Sequence, residues 1–139
     1  MAHSGGIIST SFLRGSELTA SLTTKDLPRA LAWYTDLLGF AVDRKHEREG
    51  KLVAVSIKAG TVRLLLNQDD GAKGADRIKG LGFSLQITTP QPVDDVAKRI
   101  KAGGGKLESE PADMPWGPRM FRVLDPDGFK LVISSERKE

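Results

Sequence analysis

Side chains able to do chemistry are few and dispersed in this sequence of 139 residues. It has no cysteine, so thiol nucleophiles, disulfides and thiolate-held zinc or iron–sulfur centres are excluded. The two histidines are His3 and His46. His46-Glu47 lacks the second histidine, four residues on, that a helical zinc-protease pair needs. Neither histidine is placed to complete a Ser–His–Asp set. Gly103-Gly104-Gly105-Lys106 lacks the spacing and the following Ser or Thr of a phosphate-binding loop. The segment Pro115-Trp116-Gly117-Pro118-Arg119 is more promising for recognition. Its prolines stiffen the chain around a large ring, an aromatic plane can stack on a flat ligand, and a guanidinium can hold an anion through two hydrogen bonds. Trp116, Arg119 and Phe121, which shares a strand face with Arg119, are therefore candidate binding residues. The alternative is that Trp116 plugs a cavity mouth or a dimer seam.

The charge balance narrows the partners. The formal net charge is +3, but 21 Lys and Arg are scattered among 18 acids, and the aromatic residues are dispersed as well. With no dense basic stripe, a nucleic-acid surface is not indicated. No apolar run approaches the ~20 residues of a membrane span. Residues 7–13 are interrupted by Ser9, Thr10 and Ser11, with no Lys or Arg before them, so they do not read as a secretory leader. The lack of cysteine suits a reducing cytoplasm, which is the expected location.

An internal repeat positions the candidate residues. Residues 17–24 alternate, with Leu18, Ala20 and Leu22 on one face and Thr19, Ser21 and Thr23 on the other. Residues 81–88 do the same, with Leu81, Phe83, Leu85 and Ile87 opposed to Gly82, Ser84, Gln86 and Thr88. Period two predicts a half-buried strand in each place. A helix follows each. Asp26 can cap the first, with Pro28 in its first turn, a stripe through Leu27, Ala30, Leu31, Tyr34, Leu37 and Leu38, and Gly39 as its stop. Tyr34 lies on that stripe and is expected in the core. Pro92 opens the second helix, with Asp94 and Asp95 near its positive end, a stripe through Val93, Val96, Ala97 and Ile100, and the glycines from Gly103 as its stop. Three strands are expected after each helix, over 40–48, 52–58 and 62–68, then over 106–109, 119–124 and 129–134. Asp125-Pro126-Asp127-Gly128 is a strong hairpin loop. The expected organisation is a flexible arm over 1–16 and one domain over 17–136, with module one at 17–68, a linker at 69–80 and module two at 81–136.

Asp26-Leu27 before a helix, Trp33-Tyr34 and Leu38-Gly39-Phe40 resemble the first-half signature of the vicinal-oxygen-chelate superfamily of glyoxalases, bleomycin-resistance proteins and extradiol dioxygenases. Trp116-Gly117, Arg119, Phe121 and Asp125-Pro126-Asp127-Gly128 resemble its second-half signature, most closely that of the bleomycin-resistance-like branch. The resemblance covers residues 17–136. It implies an α+β fold of two tandem βαβββ modules, whose curved mixed sheets surround a cavity and carry helices on their outer faces. It also implies a homodimer.

Metalloenzymes of this superfamily hold a divalent ion with His, Gln and Glu at four cavity-facing places, leaving positions open for substrate oxygens. Matched residue by residue, those places fall on Thr19, Gly82 and Val132, with the fourth near Asn67. Glycine and valine side chains cannot ligate, and Thr and Asn are weak neutral donors. His46 reads as a solvated residue near the first hairpin. No metal and no other cofactor are therefore expected, and no residue is given a catalytic role.

The cavity face implied by the fold is polar. Thr19, Ser21, Thr23, Ser84, Gln86 and Thr88 line it from the two first strands. Parity adds Arg63, Leu65 and Asn67 from one half and Lys130, Val132 and Ser134 from the other. Thr23, Thr88 and Ser134, near strand ends, read equally well as ordinary wet-face residues. Thr19, Ser21, Arg63, Asn67, Ser84, Gln86 and Val132 join Trp116, Arg119 and Phe121 as the expected ligand-binding set, since hydroxyls and amides both donate and accept. The resemblance thus points to a metal-independent small-molecule binding protein that sequesters an antibiotic or toxin, its ligand aromatic or anionic. The basic balance argues against a strongly cationic drug such as bleomycin. The alternative is a metal-dependent lyase or dioxygenase of the same superfamily.

Overall fold

The chain is seen in a computed structural model that describes residues 12–74 and 76–136. Of the arm expected over 1–16, residues 1–11, including His3, lie outside the described residues.

The first half runs β1 (Thr19–Thr24), α1 (Leu27–Ala32), β2 (Ala41–Arg48), β3 (Lys51–Ala59) and β4 (Val62–Gln68). The second runs β5 (Leu85–Thr89), α2 (Val93–Ala102), β6 (Leu107–Asp113), β7 (Arg119–Leu124) and β8 (Lys130–Ser135). Each half is therefore a βαβββ module. Its sheet has the order β1-β4-β3-β2 or β5-β8-β7-β6, with the first strand parallel to the last and the other pairs antiparallel. This is the α+β architecture expected, with two curved sheets that do not close.

Local chemistry sets the boundaries. The Asp26 carboxylate accepts a hydrogen bond from Arg29 N at 3.2 Å and so caps α1. The first helix is not one uninterrupted α-helix. Beyond Ala32 it continues as a π-helical turn over Trp33–Leu37, and Phe40 N donates to Tyr34 O at 3.0 Å. The wider turn leaves both Tyr34 and Leu37 buried. Gly39 closes it in the left-handed region at φ 76°.

The strand expected over 81–88 begins only at Leu85. Gly80 and Gly82 adopt φ 77° and 83°, which breaks the extended run, and Leu81 and Phe83 are left 72% and 48% exposed. Leu18, expected on the face of the first strand opposite Thr19 and Ser21, precedes β1 and is likewise exposed. β6 extends past the expected 106–109 to Asp113. It is an edge strand with register shifts, and these let it carry Pro111.

The two modules share one core. Leu22, Tyr34, Leu64 and Ile57 of the first belong to the same buried cluster as Ile100, Phe121, Leu131 and Ile133 of the second. Two polar ties cross the seam. Tyr34 Oη donates to Asp125 Oδ2 at 2.7 Å, while Asp125 Oδ1 accepts from Asp127 N and Phe129 N. Asp127 reaches the β1–α1 connection, accepting from Thr24 Oγ1 at 2.6 Å and Lys25 N at 2.8 Å. Burial raises the Asp125 carboxyl above the usual range, against the lowering effect of its three donors. Burial, then the charge of Asp125, pushes the Tyr34 hydroxyl far upward. The connection after Gln68 is folded back by Asp69, which pairs with Arg77 at 2.6 Å and Lys79 at 3.5 Å.

Candidate functional site

The helices pack on one face of each sheet, so the other face is the place to look for a site. Residues directly opposite in a sheet point to the same side. In the first module this builds three rows. Thr19, Arg63 and Lys58 form one; Ser21, Leu65, Ser56 and Arg44 the next; Thr23, Asn67, Ala54 and His46 the third. The alternating residues, such as Leu22, Leu64, Leu66, Val55 and Ile57, are the core side chains facing the helix.

The polar groups of this face engage one another. Asn67 Nδ2 donates to Ser21 Oγ at 2.7 Å. The Arg63 guanidinium lies between two carboxylates, with Nε 3.0 Å from Glu17 and Nη1 2.9 Å from Asp43. Lys58 approaches Asp43 at 3.8 Å, and Thr19 Oγ1 donates to Glu17 at 3.1 Å. All are at least partly exposed, so these pairs hold side-chain directions more than they add stability.

The second module gives two matching rows: Gln86, Val132, Arg122 and Ser109, then Thr88, Ser134, Met120 and Ala112. Val132, Ser134 and Met120 are buried in the middle of this face, while Gln86 and Arg122 are exposed. Neither Val132 nor Met120 belongs to the core cluster on the helix side. Arg122 has no charged partner among the described residues.

Of the expected set, Thr19, Ser21, Arg63 and Asn67 share the uncovered face of module one, and Gln86 and Val132 share that of module two. The others fall elsewhere. Phe121 pairs in register with Ile133 and is fully buried in the helix-side core, so it does not reach the uncovered face. Arg119 points the same way, with Nε 3.1 Å from Asp94 in the first turn of α2 and Nη1 3.2 Å from Asp113. Trp116 stands 60% exposed in the β6–β7 loop. Ser84 is exposed in the connection before β5. His46, read as a solvated residue near the first hairpin, is exposed and lies within β2, in the row of Asn67.

Sequence reasoning missed Lys58, Arg44 and Arg122. Lys58 could have been found by carrying parity from Arg63 back through the Gly60 turn, because the two face one another across it. Arg44 carries no such signal, since register shifts in β2 interrupt its alternation.

The four places matched to the metal ligands do not make a fitting donor set. The Thr19 hydroxyl is directed to Glu17 and the Asn67 amide to Ser21. Val132 offers no donor atom, and Gly82 lies outside β5. No group of three or more His, Asp or Glu side chains is gathered to hold an ion among the described residues.

The family model described as the glyoxalase/bleomycin resistance protein/dioxygenase superfamily matches residues 18–133. The chain belongs to that superfamily. Among solved structures it is similar to TioX from Micromonospora sp. ML1, with 21% identity, a TM-score of 0.69, and coverage of 87% of this chain and 98% of that one. It is also similar to a superfamily member from Sphaerobacter thermophilus DSM 20745, with 22% identity, a TM-score of 0.72, and coverage of 88% and 98%. A glyoxalase I mutant from Zea mays aligns at 24% identity with a TM-score of 0.74, over 88% of this chain and 45% of that one. At these identities the structural likenesses concern the fold. Comparison with curated proteins finds no match. No helix among the described residues is long and apolar enough to cross a membrane.

Proposed function

We propose that this protein binds a small molecule without a metal, seating it against the uncovered sheet faces. The observation that carries this reading is the makeup of those faces: hydroxyl, amide and guanidinium groups in register on module one, and Val132 and Met120 between exposed Gln86 and Arg122 on module two, with no competent metal-ligand set at the matched positions among the described residues. Ser21, Asn67 and Gln86 would orient a ligand by donating and accepting. Val132 and Met120 would pack its apolar part, and Arg122 would meet an anionic group. Trp116 would close over a flat ligand from its loop. Activity would be stoichiometric capture, of the kind the bleomycin-resistance-like branch implies, with an antibiotic or toxin as the captured class. Pairing of two chains would cover the open faces.

A thermal-shift screen of aromatic carboxylates, followed by calorimetry on the best binder, tests this. A charge-assisted hydrogen bond contributes about 1.5–3 kcal/mol, so Arg122→Ala should weaken binding roughly ten- to a hundredfold with the melting temperature of the free protein unchanged. Equal affinity in parent and variant would remove Arg122 from the site.

A further inference from the structure

The internal repeat places one row of the same design on each uncovered face. In module one the row runs Ser21, Leu65, Ser56, Arg44, from β1 through β4 and β3 to β2. In module two it runs Gln86, Val132, Arg122, Ser109, from β5 through β8 and β7 to β6. The rows are equivalent, because Ser21 and Gln86 both stand three residues before the end of their strands. Each row begins with a hydrogen-bonding side chain on the first strand and passes a half-buried or buried aliphatic one. Each ends with one serine and one arginine, in exchanged order.

The guanidinium is left over in both rows. Of the other cations on the face of module one, Arg63 and Lys58 are held by Glu17 and Asp43, and Asp43 also accepts from Ser56 at 3.5 Å. Arg44 has no charged partner among the described residues, and the same is true of Arg122 and of Lys130, one row further on the face of module two. A single exposed arginine needs no ligand. Here the same surplus recurs in repeat-equivalent rows, each time beside an aliphatic centre, on faces where the acids of module one are already engaged. The helix sides of both sheets share one core, so the two uncovered faces of a chain turn away from one another. One chain therefore cannot present both rows to one ligand; a pair of chains can.

We infer that Arg44 and Arg122 set the specificity of the proposed site for a ligand with two anionic groups, one at each end of an apolar body. Arg44 of one chain holds one end and the partner's Arg122 the other, each able to make a bidentate pair with a carboxylate. Leu65 and the partner's Val132 pack the body between them. This rests on the reading of the uncovered faces as a ligand site, and it adds the second charge and the residue that meets it.

Calorimetry on the full chain with octanedioate, and with octanoate as the singly charged control, tests this. Octanoate has the more apolar end, so a site that reads only apolar area would favour it. Octanedioate should instead bind roughly tenfold or more tightly, at one per chain. Arg44→Gln and Arg122→Gln should each remove that preference, a ratio that a general loss of folded protein does not change. Co-expression of the two variants should restore the preference at roughly a quarter of the sites, since half the dimers are mixed and each of those keeps one of its two sites intact. Equal binding of the two acids by the parent would overturn the inference while leaving the proposed function standing. A preference that survives Arg44→Gln, or that the mixed dimers do not regain, would overturn it as well. Binding of neither acid would also overturn it, and the screen of aromatic carboxylates then decides the proposed function on its own.

Discussion

Tyr34 and Asp125 are the residues at which packing and charge meet. A buried carboxylate oxygen takes its hydrogen bond from the Tyr34 hydroxyl, so Tyr34→Phe leaves that oxygen without a donor. Chemical denaturation should show a loss of about 1–3 kcal/mol. The pH dependence follows from the direction of the Asp125 shift. Its folded-state value is raised, so its contribution to stability is complete below the ordinary carboxylate range and is lost as pH rises through the raised value. Tyr34 is one of the groups holding that value down. The phenylalanine variant should therefore lose more stability than the parent between mildly acid and neutral pH. A pH-independent difference between the two proteins would contradict this assignment.

The core role of Tyr34 was legible from the helical stripe. Its hydrogen bond was not, because the partners are 91 residues apart and nothing in local spacing records a tertiary contact. Alternation made Thr19 with Ser21, and Arg63 with Asn67, legible as faces of their strands, and the fold implied by the resemblance joined the two. Arg119 and Phe121 were chosen for their chemistry and neighbourhood. Parity within β7 put them together correctly but did not say which face of that strand the helix covers.

At the scale of elements, the glycines after α2 do more than end a helix. A Cβ on Gly103 would lie 2.1 Å from Leu37 Cδ2, so the π-helical turn of module one packs directly on that glycine. Gly103 itself has an ordinary φ of −85°, which makes the cost of a substitution one of packing rather than backbone strain. Gly103→Ala should destabilise by about 1–3 kcal/mol. In the Leu37→Ala background the added cost should shrink, because the clashing methyl is gone. Strict additivity in urea denaturation would show that the two residues do not meet. The sequence announced the glycine stop but not this contact, which depends on how the two helices lie together. The π-helical turn was equally hidden: the apolar stripe from Leu27 to Leu38 satisfies an α-helical period, and the wider turn is a response to tertiary packing. In β2, register shifts hid which charged residues share the face of Asn67.

The whole molecule is two copies of one module joined through a shared core and the Asp125–Asp127 ties. Its repeat could be read in the sequence because strand and helix signals recur in the same order at nearly constant spacing, and the family model spans both copies. What could not be read is that one carboxylate in one hairpin, Asp127, ties the second module to the β1–α1 connection of the first. The proposed pairing of chains makes a direct prediction for the intact protein. Light scattering at micromolar concentration should return about twice the chain mass of 15.1 kDa. A monomer throughout that range would leave both sheet faces open to solvent and remove the proposed enclosure of the ligand.

The central claim is that the superfamily fold is used here for binding without a metal, and the most direct measurement is the metal content of protein purified without chelators. Of the places that the resemblance matched to metal ligands, Val132 has no donor side chain, Gly82 lies outside β5, and Thr19 and Asn67 direct their polar atoms to Glu17 and Ser21. Elemental analysis should find Zn, Ni, Fe and Mn each well below one ion per chain, with no gain in melting temperature when these ions are added. One tightly held ion per chain, released only by a chelator, would contradict the account and favour the metal-dependent chemistry of the superfamily.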